Sequence, residues 1–176
     1  MAGNVNNAPP IQKDYQLVSY LGRANLSILD KYLITASFRA DGSSKFAKGN
    51  RWGYFPSASL AWRMEQEEFM KNISWLSQLK IRVSYGVTGN QSIDPYSTFS
   101  MYGSNSNLYY ADGSGNAQTA FTVTNLSNNS LKWEKTASWN AGLDFGLFNS
   151  RLSGTLDVYQ KKTTDLLISR TLPGSA

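Results

Sequence analysis

The chain has 176 residues, with 17 Lys and Arg against 12 Asp and Glu, a net charge of +5, and neither Cys nor His. Those absences exclude disulfide frameworks, thiolate nucleophiles, Cys-based zinc sites and the commonest general base. The length suits one domain with its own core, or a piece of something larger.

The cations are scattered, Lys161-Lys162 being the only adjacent pair. Nucleic-acid binding needs them clustered on one face, so no nucleic-acid partner is expected. No apolar run reaches the roughly 20 residues of a membrane-spanning helix. The opening MAGNVNNAPPIQKDY, residues 1–15, reads as a loop or a chain edge. The first 30 residues contain no signal-peptide apolar region, which implies a mature, processed or truncated chain.

From residue 16 the pattern is alternation with a period of two, the signature of strands with one apolar face. Val18 to Ile28 is a first strand, followed by the tight Leu29-Asp30-Lys31. In the second, Tyr32, Ile34, Ala36, Phe38 and Ala40 oppose Thr35, Ser37, Arg39 and Asp41. A polar connection, Gly42–Asn50, leads toward a third strand at Ala58 to Met64. Met64 to Gln78, MEQEEFMKNISWLSQ, reads as a short acidic helical turn. The fourth strand, Leu79–Thr88, has Leu79, Ile81, Val83, Tyr85 and Val87 on one side and Lys80, Arg82, Ser84, Gly86 and Thr88 on the other. A long loop at 89–130 follows. A fifth strand then sets Trp139, Ala141, Leu143, Phe145 and Leu147 against Ser138, Asn140, Gly142, Asp144 and Gly146. The tight Phe148–Arg151 and a sixth strand, Leu152 to Val158, complete the pattern.

The fold class is therefore all-β, with about six antiparallel up-and-down strands over 16–176 and one short helical turn. Several strands run to ten residues or more, as tilted membrane strands of about 9–11 residues do. Short connections alternate with long ones, as in a transmembrane barrel with tight periplasmic turns and long outer loops. On that orientation Trp52, Tyr54, Phe55, Tyr85 and Trp133 sit near the outer strand ends, and Tyr32, Trp62, Trp75 and Phe148 near the inner ends. Two aromatic girdles are what amphipathic rings form at two membrane–water interfaces. The alternative is a soluble β-sheet module for glycan binding or adhesion, with the same aromatics in its core. The two differ in facing: a second sheet over Ile81, Val83, Leu143 and Phe145 marks the soluble module, and an uncovered face marks the barrel.

No enzyme is expected, and neither a catalytic residue, a metal site nor a cofactor is assigned. Glu67 and Glu68 are adjacent, and neighbours on a turn do not face one another. Asp112-Gly113-Ser114-Gly115-Asn116 has turn chemistry without the alternating ligands of a calcium loop. Asn25-Leu26-Ser27 matches a glycosylation sequon in a chain rich in Asn and Ser. The stretch with recognition chemistry is the long loop, where Tyr96, Tyr102, Tyr109 and Tyr110 stand among Ser, Asn and Gly. Tyr offers a flat apolar face with a hydroxyl, and Asn and Ser add adaptable hydrogen bonds, which suits a sugar ring or a peptide.

Three stretches carry a family resemblance: DKYLITASFRADGSSKFAKGNRWGYFPSASLAWRMEQEEFM (Asp30–Met70), LKIRVSYGVTGNQSIDPY (Leu79–Tyr96) and WEKTASWNAGLDFGLFNSRLSGTLDVYQKKTTDLL (Trp133–Leu167). They resemble the SusC/RagA family of TonB-linked outer-membrane transporters. The resemblance implies a segment of a barrel of about 22 strands, in the outer membrane and in contact with its lipid. It implies uptake of an oligosaccharide or peptide, energised by the TonB complex through a plug and TonB box that this stretch does not contain. It also implies a SusD-like surface lipoprotein as partner, which the loop tyrosines would meet if they do not meet substrate. Arg23, Arg39, Arg63 and Arg82 would then face the lumen or plug. Such a slice of wall is not expected to transport alone.

Overall fold

The computed structural model describes residues 13–169, apart from 112, 114 and 116. Eight strands form: β1 (Leu17–Ile28), β2 (Tyr32–Ser43), β3 (Trp52–Arg63), β4 (Leu76–Asn90), β5 (Met101–Ala111), β6 (Ala117–Asn125), β7 (Glu134–Leu147) and β8 (Leu152–Thr164). Six of them make one antiparallel sheet in the order β1-β2-β3-β4-β7-β8, and among the described residues β5 pairs only with β6. These are the six expected strands, joined by a hairpin inside the 89–130 connection that its sequence did not reveal.

The register explains the alternation in the sequence. Side chains at paired positions share a face, and across the sheet one row runs Ile28, Tyr32, Trp62, Ile81, Leu143, Leu156. The next runs Leu26, Ile34, Leu60, Val83, Ala141, Val158, and a third Ala24, Ala36, Ala58, Tyr85, Trp139, Gln160. On the other face the corresponding rows are polar or small: Arg23, Ser37, Ser57, Gly86, Ser138, Lys161, then Asn25, Thr35, Ser59, Ser84, Asn140, Tyr159. A one-residue slip anywhere would exchange the two faces, so the pattern fixes the register. Among the described residues no second sheet covers the apolar face: Leu26, Leu60, Val83 and Val158 are all exposed.

One end of the sheet carries the turns and the other the loops. At the turn end, the β1–β2 turn places Leu29 and Asp30 at positive φ, and the β7–β8 turn does the same at Phe148, Asn149 and Ser150. The expected helical turn is two single 3₁₀ turns, Met64–Gln66 and Glu68–Met70. Glu65 and Glu67 fasten it. Glu65 accepts from Arg63 Nε at 3.1 Å and from the Leu79 backbone N–H at 3.3 Å. Glu67 accepts from Lys31 Nζ at 2.8 Å, Tyr32 Oη at 3.0 Å and Trp62 Nε1 at 3.1 Å.

Two boundaries differ from the sequence reading. β2 runs on to Ser43, two residues into the expected Gly42–Asn50 connection, and its Asp41 is buried and paired with Arg39. β3 begins at Trp52, six residues before the alternation becomes legible. Its first half leaves β4: the last pair is Ser57–Gly86, and Pro56, which has no N–H to donate, sits one residue beyond it.

Candidate functional site

Where β3 and β4 part, the loop end of the sheet acquires a small core. Phe46, Phe55 and Trp133 are buried together, with Val87, Ile93 and Leu131 packed around them. Phe55 meets Trp133 edge to face at 5.4 Å between ring centroids, a favourable aromatic arrangement. Gly53 and Gly89 make the space: a Cβ at either position would run into the Phe55 ring. This corrects the expected girdle. Tyr54 and Trp52 do lie on the apolar face, stacked with Phe38 and Tyr20 respectively at 6.0 Å. Phe55 follows Tyr54 directly, so it points to the opposite face, and Trp133 turns inward with it.

This core holds three segments that are distant in sequence. Trp133 Nε1 donates to the Arg51 carbonyl at 2.9 Å, Asn50 Nδ2 to the Asn129 carbonyl at 3.0 Å, and Lys45 Nζ reaches the Gln91 carbonyl at 3.5 Å. Beside it opens a cleft of about 640 Å³, bounded by residues 14–16, 44–51 and 95–99 with Asn129. Ligand sites commonly fall between about 300 and 1,000 Å³.

The four candidate tyrosines do not converge. Tyr96, at φ 68°, lines the cleft. Tyr102 pairs with Val123, and Tyr109 with Thr119, on the same face of the hairpin as Phe121; Tyr110 pairs with Gln118 and takes the other face. Tyr102, Tyr109, Tyr110 and Phe121 are all exposed. Lys45, Lys48, Arg51, Tyr15 and Phe99 line the cleft and were not singled out from the sequence, because no spacing unites them. Only the pairing of β1, β2 and β3 brings their ends together.

The polar face carries an ion cluster across β4, β7 and β8. Arg82 holds Asp144 through two hydrogen bonds of 3.0 and 2.9 Å and reaches Asp157 at 3.3 Å, while Lys80 pairs with Asp144 at 2.8 Å. Thr155 donates to Asp144 at 3.1 Å, and Gly142 leaves the space the Arg82 guanidinium occupies. Arg23, Arg39, Arg63 and Arg82 all fall on this face by register. The neighbouring carboxylates diverge, Glu67 toward Lys31 and Glu68 toward Lys71 at 2.6 Å. Among the described residues, no group of three or more His, Cys, Asp or Glu could hold a metal ion. The Asp112–Asn116 turn lies partly outside the described residues.

The sequence matches the family described as "TonB dependent receptor-like, beta-barrel" over residues 2–176. The chain belongs to the TonB-dependent receptor β-barrel family. Among its relatives, TonB-dependent receptor SusC of Bacteroides thetaiotaomicron is 47% identical over 158 residues, covering 89% of this chain and 16% of SusC. TonB-dependent receptor P26 of Formosa agariphila is 40% identical over 178 residues, covering 97% of this chain and 18% of P26. The structure of the RagAB peptide transporter superposes with a TM-score of 0.77 at 32% identity, over 90% of this chain and 17% of that one. The chain thus spans about a sixth of the length of the relatives it matches. As a TonB-dependent receptor barrel segment it is an outer-membrane protein, and its relatives are receptors and transporters rather than enzymes. The uncovered apolar face is then the lipid-facing side of a barrel wall.

Proposed function

We propose that this chain is a stretch of wall in an outer-membrane importer of oligosaccharides or peptides. The importer works with a SusD-like surface lipoprotein and is driven through the periplasm by TonB. The observation that carries the reading is the sheet itself, six strands of 12 to 15 residues with two unbroken apolar rows on one face. Strands of that length cross a bilayer at a tilt, and similarity to TonB-dependent receptor SusC and to the RagAB peptide transporter supports import as the activity. The polar face, with its Arg82–Asp144 cluster, borders the lumen, and the energy-coupling parts belong to the remainder of the full-length protein.

Within this reading the exposed tyrosines have two roles to divide. Tyr96 lies in the cleft beside the wall and contacts cargo. Tyr102, Tyr109 and Tyr110 ride on a hairpin that pairs with no wall strand, which suits contact with the lipoprotein. In the full-length protein, deleting Ser104–Gln118 is expected to weaken capture of the lipoprotein, with growth on the cognate nutrient reduced in step. If pull-down and growth both persist unchanged, the hairpin tip is spacer. A strain lacking the whole protein is expected to lose growth on one oligosaccharide or peptide, and full growth on all of them would sink the importer reading.

A further inference from the structure

The cleft at the loop end has a chemistry that wall-building does not require. Three cations, Lys45, Lys48 and Arg51, line it together with the rings of Tyr15, Tyr96 and Phe99 and one carboxylate, Asp14. Lys48 and Arg51 are exposed along it. Lys45 Nζ stands 4.5 Å over the Tyr15 ring, and Arg51 Nε is tied to the Phe46 carbonyl at 3.3 Å, so each has a contact within the protein. Phe46, which is 1% exposed and packed on Trp133, gives the cleft a rigid floor.

We propose that this cleft binds an acidic oligosaccharide, a deepening that rests on the importer reading above. Uronate carboxylates or sulfate esters pair with Lys48 and Arg51, whose guanidinium fork matches either group. Tyr96 and Phe99 lie against the apolar C–H faces of the sugar rings. An acidic sugar repeats a flat face and a charge on every ring, which is the combination the lining offers. A peptide added as a strand would need free backbone groups. Three N–H groups at the cleft are committed: Ser43 N–H to the Arg51 carbonyl at 3.0 Å, Ser44 N–H to the Gln16 carbonyl at 3.0 Å, and Asn50 N–H to the Ala47 carbonyl at 3.0 Å.

The test is calorimetric titration of the full-length transporter in detergent with four probes: a galacturonate hexamer, a heparin-derived hexasaccharide, maltohexaose and hexaglutamate. At least one acidic sugar is expected to bind about tenfold or more tightly than maltohexaose and hexaglutamate, with affinity falling as salt rises. Which of the two acidic sugars binds separates carboxylate from sulfate. The double variant K48Q/R51Q is expected to lose about tenfold or more of that affinity, as loss of charge-assisted bonds does. K48Q alone, which alters an exposed side chain, is expected to lose part of it and covers the case in which the double variant does not fold. Equal affinity for maltohexaose, tighter binding of hexaglutamate, or unchanged affinity in the variants overturns the assignment. Import of a neutral glycan or a peptide that K48Q/R51Q leaves unaltered also overturns it, with the importer reading intact. A deletion strain that loses no nutrient overturns the importer reading instead.

Discussion

Gly89 and Gly53 show how a single hydrogen in place of a side chain decides where a ring can go. Both flank Phe55, and the ring occupies the volume their Cβ atoms would need. Gly89→Ala is therefore expected to destabilise the barrel by about 1–3 kcal/mol, the usual cost of overpacking. Phe55→Ala is expected to cost about 3–5 kcal/mol by leaving a cavity. The double variant is expected to cost less than the sum, because removing the ring clears the clash. Thermal midpoints of the detergent-solubilised full-length protein measure all three, and strict additivity would refute the packing account. Part of this was legible in the sequence: Tyr54 and Phe55 are neighbours, so only one of them can face lipid. That Phe55 packs on Trp133 was not legible, since the two meet only when the loops fold back. For the same reason the sequence pointed to Tyr96 but not to Lys48 and Arg51, which line the same cleft.

At the scale of elements, the turn between β3 and β4 is a short piece of irregular chain made definite by two carboxylates. The Glu67 carboxyl is held below its ordinary value of 4.5, first by the Lys31 hydrogen bond and then by the Trp62 indole. Lys31 is correspondingly raised above 10.5, first by its hydrogen bond to Glu67. A depressed acid contributes stability above its unfolded value and loses it as pH falls through the folded value. A raised base contributes below its unfolded value and loses it as pH rises through the folded one. The turn is thus expected to be firmest between about pH 4.5 and 10.5 and to loosen at both extremes. Hydrogen-exchange protection of residues 64–71 reads this out. Glu67→Gln is expected to lower protection at neutral pH and flatten both limbs. Equal profiles in wild type and variant would remove Glu67 from the account. The turn itself was visible in MEQEEF, whereas its anchor, Lys31, lies 36 residues away and becomes a neighbour only through β2–β3 pairing. The β5–β6 hairpin was invisible for a different reason. β5 carries no clear alternation, and its pairing with β6 slips between Asn105 and Tyr109, so no periodic signal survives.

For the whole molecule, the deciding feature is what the sheet leaves uncovered. Leu156 is 63% exposed and Val158 75%, on a face that continues across all six strands of the wall. The outer edges of β1 and β8 carry no partner strand within that sheet, and such edges pair with whatever is offered. The isolated 176-residue chain is therefore expected to aggregate unless detergent or lipid covers it. Size-exclusion chromatography of the refolded chain checks this, and a monodisperse, detergent-free monomer would contradict the lipid-facing assignment.

Alternation alone determined six strands, their two faces, the tight turns at Leu29–Lys31 and Phe148–Arg151, and the side on which the arginines lie. It could do so because a strand side chain's direction depends only on its neighbours' positions, a strictly local rule. Only the tertiary structure decided that the apolar face stays bare, that Phe55 and Trp133 leave the girdle for a buried core, and that residues 14–16, 44–51 and 95–99 enclose one basic, aromatic cleft. Those outcomes depend on contacts between segments tens of residues apart, whose proximity is set by strand register and by where β3 and β4 cease to pair.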